Sequence, residues 1–177
     1  MAAEPSDLAV EEYRALRSTI RERGTTRLVV TTITFVSWAA LLVVVLSLAS
    51  IPALGLIPLL VLATGFEVVF ALHVGVERLG RFLQARYERP DGLPGWEHAA
   101  MKVGGDRRAR LSVDPLFAWP FCLAAVLNNL AVLAMQDAAQ PAEWLAYAFI
   151  HALPVARVIS ARRVAARQRE RDLALFL

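Results

Sequence analysis

The sequence predicts an all-α fold: an integral membrane four-helix bundle of two antiparallel hairpins, with an N-terminal amphipathic cytoplasmic helix and helical extensions of spans 2 and 4. Three observations predict it. Hydrophobic residues make up 57% of the chain and charged residues 20%, yet the two are segregated. The stretch Leu28–Phe66, 39 residues long, holds no Asp, Glu, Lys, Arg or His. All 19 Lys and Arg residues fall on one side of a four-span layout. An ordinary soluble domain is excluded, since its apolar share is about 45–50% and its charges are spread. A disordered chain is excluded by the same composition, and a disulfide scaffold by Cys122 being the only cysteine.

Residues 1–25 read as a cytoplasmic amphipathic helix. Over Ser6–Arg23, the residues Ala9, Tyr13, Leu16 and Ile20 recur at helical spacing, with Glu11, Arg14, Arg17, Arg21 and Glu22 mostly elsewhere. Such a face lies at a membrane surface, docks a partner, or packs under the bundle. The charge-free run that follows is too long for one crossing, which takes about 20 residues. Its one break is Ser50-Ile51-Pro52, because proline suits the first turn of a helix and not its interior. The first span is therefore 26–49 and the second 52–72, with a mild bend expected at Pro58. About 27 mostly polar residues precede a core longer than a signal peptide's, so the first segment is read as a retained span.

The second span has no breaker at its inner end. Helical pattern continues through Val76, Leu79, Phe82 and Leu83 to about Glu88, where Pro90-Asp91-Gly92 stops it. A helix of that length, about 55 Å, outreaches a hydrocarbon core of about 30 Å. Residues 89–114 form a cytoplasmic loop with turn signals at Pro94-Gly95 and Gly104-Gly105-Asp106 and a short helix over Trp96–Val103. The third span, 115–135, opens on Asp114-Pro115, a capping residue followed by a first-position proline. The fourth, 141–160, is interrupted by Glu143, His151, Pro154 and Arg157. A basic tail helix, 161–177, ends the chain.

The basic residues fix the direction. Five precede the first span, eight lie between the second and third, and six lie at or beyond the end of the fourth. The opposite side carries only Asp137 and Glu143. Positive residues stay inside, so both termini and the central loop are expected in the cytoplasm of a multi-pass inner-membrane protein. The pI of 9.6 then follows from topology, and no nucleic-acid partner is implied.

Ionisable groups within spans are costly and mark function. Glu67 lies about 22 Å from the outer boundary and Arg157 about 24 Å, at 1.5 Å per residue, so the two are expected to form an ion pair. The alternative is that Arg157 snorkels to the head groups and Glu67 is protonated or hydrogen-bonded. Asn128 and Asn129 on the third span and His151 on the fourth are placed to hydrogen-bond. Ala148, Ala152, Ala156 and Ser160 repeat every four residues and form a face for close helix approach. Arg162, Arg163 and Arg167 suit anionic lipid head groups.

His73 and Glu77 share a helix face and, with Glu97 and His98 from the loop, make the one candidate site for a divalent metal. Without a metal they form a histidine–carboxylate pair. Apart from that metal, no cofactor is expected. His73 and His151 differ in depth by several turns, which argues against a haem between them. Tyr13, Leu16 and Ile20 are expected to pack on the projecting part of the second helix, around Leu79, Phe82 and Leu83, or on lipid at its base.

Three functional classes remain open. The first is a non-enzymatic scaffold or accessory subunit of a homo- or hetero-oligomeric membrane complex, its partners being the bilayer, anionic lipids, and other subunits or a second copy. The second is a small ion or solute transporter using Glu67, Asn128, His151 and Arg157. The third is a metal-dependent membrane enzyme using His73, Glu77, Glu97 and His98. Topology is tested by cysteine scanning in intact cells. A cysteine at Ala139 should react with an impermeant reagent from outside and one at Gly92 should not. The reverse pattern would overturn the layout.

Overall fold

The computed structural model describes residues 7–48, 51–88, 95, 116–135 and 141–176. Of these, 96% are helical and none is in a strand. The order is α1 (Asp7–Leu48), a 3-10 turn at Pro52–Gly55, α2 (Leu56–Tyr87), α3 (Ala118–Ala134) and α4 (Pro141–Phe176). The candidate cap Asp114-Pro115, the expected helix at Trp96–Val103 and the link at 136–140 lie outside the described residues.

One division expected from sequence is absent. The amphipathic helix and the first span are one helix of 42 residues. Gly24 was the only weak point between them, and one interior glycine costs about 1 kcal/mol, too little to break a long hydrogen-bonded ladder. The hydroxyls of Thr25 and Thr26 donate to the carbonyls of Arg21 and Glu22, at 3.2 and 2.9 Å, and strap the helix across this point. The fourth span and the tail are one helix of 36 residues with Pro154 inside it, the helical extension of span 4 that the sequence predicts.

The second helix starts where proline chemistry allows. Pro52 opens the 3-10 turn, and Pro58 falls in the first turn of α2, where a missing N–H costs least and gives no cause for a bend. α2 ends at Tyr87, near the expected Glu88. α3 has only 17 residues. Three helical stretches, α1, Pro52–Tyr87 and α4, are long and apolar enough to cross a membrane, against four expected; α3 is apolar but shorter. Phe117, just before α3, adopts the left-handed region at φ 50°, a conformation that costs about 1–3 kcal/mol and is held by its packing on the apolar core.

Contacts divide the chain into two units. The first, the apolar unit, falls within Leu28–Phe70 and Pro115–Arg163. The second, the charged unit, falls within Met1–Arg27, Ala71–Asp114 and Val164–Leu177.

In the apolar unit one core draws on all four helices. Leu62, Phe66 and Val69 of α2 meet Phe121 and Ala124 of α3 and Val158 and Ala161 of α4, with Val30, Phe35 and Trp38 of α1 against them. Phe121 is the joint: its ring centre lies 4.9 Å from that of Phe35 and 5.3 Å from that of Phe66. Gly65 lets α1 and α2 close up, since a Cβ there would overlap the Thr34 side chain. Outside this core the usual arrangement is inverted. Val36, Val43, Leu60, Leu145, Phe149 and Leu153 are exposed, while Thr34, Asn128 and His151 are buried.

In the charged unit an aromatic chain joins three helices. Tyr13 of α1 meets Tyr87 of α2 edge-on at 5.5 Å, Tyr87 meets Phe82 at 6.5 Å, and Phe82 meets Phe176 of α4 at 5.6 Å. Leu83 is fully buried, and Leu16 and Ile20 are half-buried. The Tyr87 hydroxyl donates to Glu12 Oε2 at 2.6 Å. That hydrogen bond to a carboxylate holds the phenol above its ordinary pKa.

Gly65 gives a direct test of the α1–α2 approach. Gly65→Ala should lower stability by about 1–3 kcal/mol through overpacking against Thr34. Thermal unfolding in detergent measures it, and an unchanged midpoint would mean that the helices do not touch there.

Candidate functional site

Three polar clusters hold the residues singled out by sequence. In the apolar unit, Arg157 of α4 meets Glu67 of α2 side-on: Nε to Oε1 at 2.7 Å and Nη2 to Oε2 at 2.8 Å. Two parallel bonds are the strongest geometry this pair has. The guanidinium also lies 4.8 Å from the centre of the Phe70 ring, which favours a cation over its face. The side chains are 39% and 47% exposed, so in water the pair would contribute at most about 1 kcal/mol. Beside it is an apolar cavity of about 280 Å³ walled by Leu62, Phe66, Phe121, Pro154 and Val158.

The second cluster centres on Asn128, which is fully buried in the same unit. Its Nδ2 donates to the Gly55 carbonyl at 2.9 Å, and its Oδ1 accepts from Trp38 Nε1 at 3.1 Å. Its Nδ2 also lies 3.0 Å from His151 Nε2. His151 Nδ1 lies 2.8 Å from the Tyr147 carbonyl, which only accepts, so Nδ1 carries the hydrogen and Nε2 accepts from Asn128. Each polar atom of the Asn128 side chain is thereby satisfied. Asn129 differs: its Oδ1 is buried and has no hydrogen-bond partner. It opens on a groove of about 370 Å³ edged by Ala148, Ala152 and Ala156 of α4. Those alanines are exposed and Ser160 is half-buried.

The third cluster lies in the charged unit and runs along α2 at four-residue spacing. Arg27 Nη1 lies 3.2 Å from His73 Nδ1. Arginine only donates, so Nδ1 accepts and the ring hydrogen sits on Nε2, 3.6 Å from Glu77 Oε1. Glu77 Oε2 accepts from Arg81 Nη1 at 3.0 Å. Arg81 Nη2 donates to Asp172 Oδ2 at 2.9 Å, and Arg78 Nε approaches the same oxygen at 3.4 Å. Arg81 is 2% exposed and Asp172 5%. The Arg81 Nε is buried with no partner.

Sequence reasoning named His73 and Glu77 but missed Arg81 and Asp172, which are the more buried. The signal for Arg81 was present, since it continues the His73, Glu77 series by one more step of four. Asp172 carried none, being one acid in a run of arginines 91 residues away. The metal reading needs Glu97 and His98, which lie outside the described residues. Among the described residues no group of three or more His, Cys, Asp or Glu could hold a metal ion. Arg162 and Arg163 are exposed on α4, and Arg167 lines a groove with Arg78 and Arg171.

The chain matches no family model, no curated protein and no solved structure. Among the described residues the protein is all-α, with three helices of membrane-crossing length and apolarity.

Arg81 and Asp172 make a testable pair. Arg81→Met leaves a buried carboxylate with one long contact and should cost about 3–5 kcal/mol, as should Asp172→Leu from the other side. The double variant should lose clearly less than the sum of the two. Additive losses in thermal unfolding would mean that the two charges do not interact.

Proposed function

We propose that the chain is a multi-pass protein of the cytoplasmic (inner) membrane, a four-span bundle with both termini in the cytoplasm. Its role in this reading is non-enzymatic: a scaffold or accessory subunit that assembles with copies of itself or with other membrane proteins. The inverted surface of the apolar unit supports the membrane placement, because large aliphatic side chains face outward while Asn128 and His151 are inside. In hydrocarbon the bidentate Glu67–Arg157 pair would keep two otherwise costly charges together.

The observation that carries the assembly reading is the groove at Asn129. A buried amide oxygen without a donor costs about 1–3 kcal/mol, and the alanine edge beside it admits another helix at close range. A rotation of the amide toward the groove would bring that oxygen within reach of a donor on a neighbouring helix. The transporter reading has less behind it. Asn128, His151, Glu67 and Arg157 spend their polar atoms on one another and on nearby groups rather than leaving them to a passing ion.

Light scattering on the full chain in mild detergent tests assembly. Wild type should have the mass of more than one chain or carry a co-purifying membrane subunit. Ala152→Leu should reduce the particle to a single chain with its helical content unchanged. A wild-type protein that runs as one chain with no co-purifying subunit would sink the proposal.

A further inference from the structure

The tail of α4 holds a feature that assembly does not explain. A groove of about 420 Å³ in the charged unit is lined by Arg78 of α2 and by Val164, Arg167, Arg171, Asp172 and Leu175 of α4. Its one carboxylate is already committed: Asp172 Oδ2 receives Arg81 and Arg78. Arg167 and Arg171 have no acidic partner among the described residues. They are four residues apart on one helix face, where like charges repel. Arg78 engages Asp172 only through Nε, and its terminal nitrogens have no partner among the described residues. Three cations therefore converge on one opening with nothing to neutralise two of them.

The remaining walls are the polar Gln168 and the apolar Val164 and Leu175. Val164 is exposed, and Leu175 is 79% exposed. A free phosphate would satisfy the arginines and leave both side chains in water. An anionic amphiphile satisfies both parts, with phosphate oxygens taking the guanidinium hydrogens and a hydrocarbon chain covering the aliphatic wall. This class of ligand rests on the membrane placement proposed above. We propose that Arg78, Arg167 and Arg171 form a site for the phosphate of an anionic phospholipid. The site is independent of the assembly groove and stands or falls separately.

The test uses the full chain, purified in mild detergent, stripped of lipid and offered phosphatidylglycerol or phosphatidylcholine, with bound lipid counted by native mass spectrometry. Wild type should retain phosphatidylglycerol in preference to phosphatidylcholine. Arg167→Gln with Arg171→Gln should weaken retention by about a hundredfold, as expected when two charge-assisted hydrogen bonds to the phosphate are lost. Both positions are exposed on the helix, so helical content should be unchanged. Arg167→Lys with Arg171→Lys should keep most of the binding. Arg162→Gln with Arg163→Gln removes the same charge from the same helix outside the groove and should leave retention as in wild type. Equal loss in that control, or no loss in the groove variant, would overturn the proposal. Displacement of the lipid by inorganic phosphate alone would overturn the lipid and point to a soluble phosphate instead.

Discussion

An unbroken helix cannot place its side chains one at a time. Once the backbone ladder forms, every residue is carried to a fixed angle and height, so its partner is either three or four positions away on the same helix or supplied by another element. α2 shows the consequence most fully. It carries Glu67, His73, Glu77 and Arg81 at set intervals, and α4 supplies the opposite charge to the first and last of them as Arg157 and Asp172. The polarity reverses between the two pairs. α2 gives the acid in the apolar unit and the base in the charged unit, and α4 answers with Arg157 in the first and Asp172 in the second.

Burial separates the two pairs in energetic character. Glu67 and Arg157 are partly exposed, and their bond gains strength only as water leaves their surroundings. Arg81 and Asp172 are shielded by the protein itself. Their desolvation is offset by three contacts spread over Glu77, Asp172 and Arg78, and the unpartnered Arg81 Nε shows that the compensation is incomplete. The aromatic chain from Tyr13 to Phe176 supplies the apolar packing in which such a charge can be held.

Helix existence and type were legible in the sequence because charge-free runs and turn residues are strong signals. Boundaries inside continuous helices were not. The change of composition at Thr26 read as a division, yet hydrogen bonding along the backbone is indifferent to whether side chains are apolar or charged. On α4 the continuation past Ser160 was legible, because no breaker follows it. Depth along a helix placed Glu67 beside Arg157 and Asn128 beside His151, since rise per residue is nearly constant. Rotation about the helix axis is harder to read. That is why Asn128 could not be separated from Asn129, although the first is fully satisfied and the second carries an orphaned oxygen. Asp172 was hidden for a related reason, since its partner lies on a helix far away in the chain.

Asn128 also settles a matter that the apolar core leaves open. Aliphatic surfaces of neighbouring helices fit nearly as well after one slides past the other by a turn, about 5.4 Å. A single side chain on α3 that reaches α1 through Trp38, the 3-10 turn through Gly55 and α4 through His151 permits no such slide. The amide acts as a key cut for one axial setting of four segments. The apolar unit is thus locked lengthwise by polar atoms while it is filled by apolar ones.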